Sequence, residues 1–199
     1  MLIRALALML ATATTAIAED LPALFDVTGV ASDDVLNVRT RPMGGANIIG
    51  TLAYDAKSVE VVEVQDNWGR VNVDEGSGWA SMRFLTAQPD TALPNATHFN
   101  CFGTEPFWSL DVQNGGPAVL STPEGHDRAF HMGLARAANA RPAPFAILGS
   151  AQGENIAIVM DKEICSDGMS DRLFGLSGTV VLNGYNMEVL SGCCSIQSE

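Results

Sequence analysis

The stretch LNVRTRPMGGANIIGTL, residues 36–52, decides the fold of the first half of the chain. Apolar and polar residues alternate on either side of Gly44-Gly45, which is typical of two β-strands joined by a turn. Further short apolar runs continue to residue 85, separated by Gly, Asn or Asp. Strands this short, at this spacing, predict a small all-β barrel over residues 23–86.

Four elements of this segment share their order and spacing with a known family. They are Leu36-Asn37-Val38-Arg39 with Pro42, Ile49-Gly50 with Leu52, Trp68 with Val71, and Gly78-Trp79 followed by Phe84-Leu85. Together they resemble the bacterial-type SH3 domain. The turn at Ala53-Tyr54-Asp55 is less basic than the Lys-Lys-Gly often found there in the family, which concerns the ligand and not the fold.

The resemblance implies attachment rather than catalysis, since such domains commonly bind wall peptides or protein segments in the bacterial envelope. An aromatic groove would supply a large contact area at a small cost in conformational entropy. The groove candidates are Arg39, Tyr54, Trp68 and Trp79. A core position is the competing interpretation for both tryptophans, and it is favoured for Trp79. Asn37 is expected to be a turn residue, and the alternative for Arg39 is an ion pair with Asp33 or Asp34.

Residues 1–18, MLIRALALMLATATTAIA, have the three parts of a secretory signal peptide. Arg4 precedes a short apolar run, and the small-residue triplet Ala16-Ile17-Ala18 predicts cleavage after Ala18. The run is shorter than the roughly 20 residues that a membrane span needs, and no later segment is apolar for long enough. We therefore expect a periplasmic or secreted protein whose mature form has no membrane span. An uncleaved anchor is the alternative.

The composition limits the partners that can be expected. The chain has 23 Asp and Glu against 11 Lys and Arg, which gives a net charge of −12. An acidic surface repels nucleic acid and anionic lipid, so we expect neither as a partner. No sequence motif indicates a cofactor.

The second half of the chain has its own pattern. Residues 87–98 contain two prolines and small polar residues, and they predict a linker. Residues 99–199 again contain short apolar runs bounded by Gly, Asn or Asp, and Asn183-Gly184 is a hairpin signal. We expect an antiparallel β-barrel or sandwich held by disulfides. Only residues 133–140 have helix-forming composition, and Arg141-Pro142 would end that helix.

All four cysteines, Cys101, Cys165, Cys193 and Cys194, lie in the second half. An even number of cysteines in an exported protein is first interpreted as disulfides. Adjacent Cys193 and Cys194 on one strand would point to opposite faces, so each is expected to meet a different partner, Cys101 or Cys165. A zinc site is disfavoured because neither C-x-x-C nor H-x-x-x-H spacing occurs.

Three motifs of the second half resemble an uncharacterised family of bacterial exported proteins. They are G-x-E-P-F-W at Gly103 to Trp108, C-x-D-x-M-S at Cys165 to Ser170, and the terminal G-C at Gly192-Cys193. This family lends no function to the chain. Cys101 does not belong to the family pattern, so the resemblance implies the pairs Cys165–Cys193 and Cys101–Cys194.

Glu105, Trp108 and Asp167 form the candidate site of the second half. A carboxylate beside Pro, Phe and Trp would suit a general acid if it lay in a low-dielectric pocket, and Asp167 or Asp171 would be the second carboxylate. The favoured interpretation is structural: Glu105 accepts hydrogen bonds and ties the first strand to the CSDGMSD loop. A thiol nucleophile at Cys101 is disfavoured, because exported thiols are usually oxidised.

The sequence thus favours a non-catalytic exported envelope protein that recognises cell-wall peptide or an envelope protein through its SH3-like domain. One alternative is an inhibitor or chaperone-like partner of a basic periplasmic enzyme, which the acidic surface would attract. The other alternative is a hydrolase that uses Glu105 with Asp167 or Asp171.

Overall fold

The computed structural model describes residues 20–123, 125–184 and 186–198, so the predicted signal peptide, residues 1–18, lies outside the described residues. The regular structure described is strand, apart from a 3-10 helix at Met82–Phe84. The predicted all-β class is therefore confirmed. No helix in the described ranges is long and apolar enough to cross a membrane.

Eight strands in the first half form two antiparallel sheets around one core. They are β1 (Ala23–Val27), β2 (Val35–Arg39), β3 (Ile48–Ala53), β4 (Val59–Val61), β5 (Glu63–Gln65), β6 (Trp68–Val73), β7 (Gly76–Ser81) and β8 (Leu85–Ala87). The sheets have the orders β4-β1-β8 and β3-β2-β7-β6-β5. Alternation within β2 turns Leu36 and Val38 inward, where they pack with Phe25 and Val61. Residues 36–52 form the β2–β3 hairpin that their pattern predicts.

The second half contains nine described strands, and eight of them form a closed barrel. The nine strands are β9 (His98–Thr104), β10 (Phe107–Gln113), β11 (Pro117–Ser121), β12 (Arg128–Met132), β13 (Arg136–Ala137), β14 (Phe145–Ala151), β15 (Glu154–Asp161), β16 (Leu176–Asn183) and β17 (Met187–Gln197). Their order is β12-β11-β10-β9-β17-β16-β15-β14-β13, and β12 also pairs with β14, which closes eight strands into an antiparallel barrel. Of the two predicted architectures, the barrel is the one observed.

Large apolar side chains fill the interior of the barrel. Alternation in β15 turns Ile156, Ile158 and Met160 inward. They belong to one core with Phe99 of β9 and Phe145 of β14. The interior of an eight-stranded barrel is just wide enough for side chains to fill it. A ligand site of the second half is therefore expected at the rim or on the outer surface.

Residues 133–138 run without helical structure beside β14 and residues 139–140 form a turn, so the helix predicted over residues 133–140 is wrong. The N–H of Gly133 donates to the carbonyl of Leu148 at 2.8 Å, and that of Ala138 donates to the carbonyl of Pro144 at 2.8 Å. Between these two bonds β13 pairs with β14. A helix of this length is marginal because its nucleation is costly, whereas pairing with β14 satisfies the same backbone groups.

Two disulfides connect β17 to the rest of the second half. Cys101 and Cys194 stand opposite each other on β9 and β17, with 4.0 Å between their Cα atoms, and both are buried. Cys165 is bonded to Cys193 and is half-buried. These are the pairs that the family resemblance implies. The two neighbours on β17 bond to different partners, as alternation along a strand requires.

The two halves of the chain are packed together at two places. At the first, Leu24 of β1 belongs to the apolar core of the barrel half. Leu93 and Ala96, from the segment between β8 and β9, are buried in the same core. Beside Leu24, the Glu60 side chain on β4 accepts the N–H of Ile196 on β17 at 2.7 Å.

At the second place, which we call the hairpin contact, the β6–β7 hairpin meets the segment before β16. Asn72 Nδ2 donates to the carbonyl of Leu173 at 2.9 Å, and the N–H of Leu173 donates to Asn72 Oδ1 at 3.1 Å. Arg172 Nε donates to the carbonyl of Asp74 at 2.6 Å. Because the bond at Cys165 anchors the same segment to β17, the contact is attached to the barrel by a covalent link.

Candidate functional site

A groove in the first half, which we call the N-terminal groove, has a volume of about 360 Å³. The loop before β2 forms one side, and the aromatic residues Trp68 and Phe84 lie on the lining. The remaining lining residues are Gly29, Val30, Ala31, Asp34, Val35, Leu36, Asn37, Arg39 and Ser81. Trp68 and Phe84 are half-buried, so part of each ring is open to a ligand.

Polar groups of both charges border this aromatic surface. Asp34 is exposed, and its Oδ1 accepts the N–H of Val35 at 2.8 Å. Arg39 Nη1 donates to the carbonyl of Ala46 at 2.8 Å, which fixes the guanidinium at the edge of the groove. The amide of Asn37 adds a group that can both donate and accept. A carboxylate, a guanidinium and an amide around aromatic rings suit the polar backbone of an extended peptide.

Two of the four predicted groove residues, Arg39 and Trp68, line the N-terminal groove. Tyr54 is 40% exposed and lies just after β3, outside the lining. Trp79 is only 4% exposed, and the guanidinium of Arg70 stacks on its ring at 4.6 Å from the centroid. Trp79 is therefore a core residue.

Two interpretations of polar residues in this region are wrong. Asn37 lies within β2 and not in a turn, because the strand continues through it from residue 35 to residue 39. Arg39 contacts a main-chain carbonyl, and the described residues show no ion pair between it and Asp33 or Asp34. Phe84 lines the groove but was not among the predicted site residues. The sequence feature that could identify Phe84 as a groove residue is its place in the closing pair Phe84-Leu85 of the family pattern.

A second groove, which we call the barrel groove, has a volume of about 720 Å³. It lies where β9 and β17 separate, since the pairing of these strands ends at Phe102 and Cys193. The lining residues are Phe102, Gly103, Thr104, Glu105, Phe107, Ser166, Asp167, Gly168, Met169, Ser191, Gly192 and Cys193. Phe107 is 52% and Met169 68% exposed, so the groove has apolar surface open to solvent.

Two of the three candidate carboxylates, Glu105 and Asp167, line the barrel groove, but Asp167 is already engaged. Its Oδ1 accepts the N–H groups of Ser170 and Met169 at 2.9 Å each, and its Oδ2 accepts the hydroxyl of Ser170 at 2.8 Å. These hydrogen bonds, with that from Ser170 N–H the strongest cause, hold the pKa of Asp167 below its ordinary value. A carboxylate stabilised in this way is a weak base and a weak nucleophile, so it shapes the loop.

Glu105 is exposed at the β9–β10 turn, so the low-dielectric pocket that a general acid would need is not formed around it. The predicted tie between the first strand and the loop exists, but Thr104 makes it instead of Glu105. Thr104 Oγ1 donates to the carbonyl of Asp167 at 2.9 Å. Asp171 lies outside the groove lining, and its N–H donates to the carbonyl of Glu75 at 2.9 Å.

Trp108 is a core residue behind the barrel groove. It is buried, and its Nε1–H has no hydrogen-bond partner among the described residues. The indole nitrogen lies against Gly103, where a Cβ would collide with Nε1 and with the carbonyl of Ser191. The glycine thus allows the indole to pack directly beneath the groove.

The three histidines do not form a nucleophile–base pair with a cysteine. His98 Nε2 lies 2.9 Å from Asp111 Oδ1, while His126 and His131 are exposed. All four cysteines are in disulfides. Within the described ranges, no three His, Cys, Asp or Glu side chains are grouped so that they could hold a metal ion.

Residues 34–86 match the family model of the bacterial SH3 domain. The matched segment contains β2 to β7 and the groove residues from Asp34 to Phe84, and it is less than half of the chain. The match does not reach the barrel, so the family resemblance of the three barrel motifs stays a prediction. No curated protein and no solved structure matches the chain.

Proposed function

We propose that this protein is an exported envelope protein that binds cell-wall peptide, or a peptide segment of an envelope protein, through the N-terminal groove. The bacterial SH3 match over residues 34–86 supports a binding module. The observation that carries the proposal is the pair of half-buried aromatic rings, Trp68 and Phe84, that lie in one groove with Asp34 and Arg39.

The chemistry of the groove favours a peptide over a purely apolar ligand. Trp68 and Phe84 offer flat apolar area with few side-chain torsions to fix on binding. Asp34 can pair with an amino group and Arg39 with a carboxylate, and cell-wall peptides carry both kinds of group. Binding rather than catalysis follows, because these groups recognise a ligand but include no nucleophile with a base beside it.

Export is part of the proposal. The two disulfides and the bacterial SH3 match fit an exported protein, since disulfides persist in oxidising compartments. Removal of residues 1–18 in the cell is expected, and the N-terminal sequence of the protein recovered from the periplasm or medium would check it.

The test is co-sedimentation with purified peptidoglycan. The wild-type chain should pellet with the wall material, and Trp68→Ala should remain in solution because it loses the largest apolar contact of the groove. Tyr54→Ala is the matched control, since it removes another exposed aromatic ring outside the groove. Circular dichroism and thermal melting establish that each variant is folded.

Two results would contradict parts of the proposal. Equal pelleting of wild type and folded Trp68→Ala would mean that the wall is bound elsewhere. A wild-type protein that stays in solution would exclude wall peptide, and the groove should then be tested with envelope proteins that wild type retains and Trp68→Ala does not.

A further inference from the structure

The strand β17 has a side that no other strand covers. It pairs with β16 from Met187 to Cys194, but with β9 only from Cys193 to Gln197. Ser191 and Gly192 lie against Phe102 and Gly103 of β9. Among the described residues, no strand lies beside Met187 to Leu190 on that side. The barrel groove begins where this uncovered segment meets β9.

The direction of the backbone groups on this segment follows from its neighbours. Cys101 and Cys194 have Cα atoms only 4.0 Å apart, which is the spacing of a pair without hydrogen bonds in an antiparallel ladder. The N–H of Ile196 likewise points away from β9, to Glu60. Because direction alternates along a strand, the N–H and C=O groups of residues 187, 189 and 191 point to the side of β9. Those of Met187 and Val189 face the uncovered part, whereas the carbonyl of Ser191 lies against Gly103.

This edge lacks the usual protection of an exposed strand. Proteins cover such edges or place Lys or Pro on them, because unpaired backbone groups attract other strands. The uncovered segment 187–190 reads MEVL and contains neither residue. Val189 is 57% exposed, and the exposed ring of Phe107 and side chain of Met169 line the adjoining groove. The edge is therefore able to accept another strand.

The charges indicate what kind of strand it would accept. Glu105 and Asp167 are the only charged residues among those that line the barrel groove, and both are acidic. Glu188 on the edge is paired with Arg128, at 3.0 Å between Oε2 and Nη2. A second copy of the chain, with a net charge of −12, would bring like charges together, whereas a basic segment would be attracted.

We propose that an extended peptide with basic side chains binds to the uncovered edge of β17 as an added strand. Its backbone pairs with Val189 and its neighbours on that side. Its basic side chains face Glu105 and Asp167, and its apolar side chains contact Phe107 and Met169. Strand addition of this kind derives affinity from main-chain hydrogen bonds and selectivity from alternate side chains. The site is separate from the N-terminal groove.

The test is an NMR titration of the ¹⁵N-labelled full exported chain with three synthetic peptides. The peptide acetyl-Val-Lys-Val-Lys-Val-amide should shift the amide signals of Val189 and Ser191. The Glu analogue should bind more weakly by about tenfold or more, since two attractive charge pairs become repulsive. The Lys peptide with N-methylated amides on its pairing side should not bind, because it cannot donate to the edge. Trp68→Ala should leave these results unchanged.

Two variants at one position separate backbone from side chain. Val189→Pro removes the N–H that points to the uncovered side and leaves the β16 ladder intact, whereas Val189→Ala keeps that N–H. Binding should be lost in Val189→Pro and kept in Val189→Ala. If Val189→Pro does not fold, the N-methylated peptide still decides the question.

The proposal is overturned if the Lys peptide leaves the signals of Val189 and Ser191 unmoved at saturating concentration. It is also overturned if the N-methylated peptide binds equally well. Light scattering that shows a dimer of wild type, lost in Val189→Pro, would mean that a second copy occupies the edge.

Discussion

Glu60 and Ile196 form a hydrogen bond that joins the two halves of the chain, with 2.7 Å between Glu60 Oε1 and the main-chain nitrogen of Ile196. Pairing between β16 and β17 ends where Cys194 stands opposite Leu176, the first residue of β16, so the N–H of Ile196 lies beyond that strand. Burial raises the pKa of Glu60 from 4.5 to about 8, and the bond from Ile196 offsets part of that rise. The carboxyl group of Glu60 therefore keeps its proton at neutral pH.

The stability of the protein should fall as the pH rises from about 5 to 8.5. The folded protein keeps the Glu60 proton up to its pKa of about 8, whereas the unfolded chain releases it near 4.5. The folded state thus binds more protons in this window, and its free energy of unfolding decreases by at most about 1.4 kcal/mol per pH unit. The contribution of Glu60 is fully present below 4.5 and is lost as the pH passes through about 8.

Glu60→Gln isolates this contribution, because an amide oxygen can still accept the N–H of Ile196 but does not titrate. In thermal melts at half-unit pH steps, the melting temperature of Glu60→Gln relative to that of wild type should increase as the pH rises. Glu163→Gln, at an exposed position, is the control and should follow the wild-type profile. Parallel profiles for wild type and Glu60→Gln would show that this carboxyl ionises normally.

Asn72→Asp should destabilise the hairpin contact. The Asn72 side chain donates to the carbonyl of Leu173 and accepts the N–H of the same residue. Aspartate keeps the acceptor, loses the donor and places a negative charge beside a carbonyl oxygen. We expect a loss of about 1–3 kcal/mol in the free energy of unfolding, measured by urea denaturation.

Asn139→Asp makes the same chemical change at an exposed position and serves as the control. Its free energy of unfolding should stay near that of wild type. A similar loss in both variants would mean that added negative charge on an acidic protein, and not the contact with Leu173, is responsible.

The two disulfides should contribute unequally to stability. Cys101–Cys194 closes a sequence separation of 93 residues and is buried, whereas Cys165–Cys193 closes 28 and is partly exposed. The chain-entropy model gives about 4.7 kcal/mol for the longer loop and about 3.6 kcal/mol for the shorter one. The double variant C101A/C194A should therefore unfold at lower urea than C165A/C193A, and the reverse order would contradict this argument.

The sequence carries enough information for the strands, because period-two alternation and turn residues act locally. Residues 36–52 show this, since their hairpin forms as the pattern predicts. Residues 133–140 show the limit: their composition favours a helix, but β14 offers backbone partners that no local pattern reveals. Composition cannot weigh a local preference against a pairing that the rest of the fold supplies.

The residues of the candidate sites also differ in whether the sequence predicts their positions. Trp68 and Arg39 reach the N-terminal groove because their places in the family pattern fix their places in the fold. The role of Glu60 depends on how β4 docks against β17, which brings together residues 136 positions apart. No motif in the sequence connects them. Thr104, rather than Glu105, ties the turn to the loop because the fold leaves the carboxylate in solvent.

Gly192→Ala should weaken the pairing of β9 and β17 at the barrel groove. A Cβ at Gly192 would collide with the carbonyl of Phe102, where these strands make their last pair. Main-chain atoms cannot move aside as a flexible side chain can, so the strands would have to separate. We expect a loss of about 1–3 kcal/mol or more in the free energy of unfolding, measured by urea denaturation.

Gly45→Ala is the matched control, because a Cβ at Gly45 would meet no atom within 4 Å. The free energy of unfolding of that variant should equal that of wild type or exceed it by up to about 1 kcal/mol, since alanine restricts the unfolded chain. Equal unfolding midpoints for Gly192→Ala and Gly45→Ala would show that β9 and β17 tolerate a side chain between them. That result would contradict the close approach of Gly192 to the carbonyl of Phe102, on which the shape of the barrel groove depends.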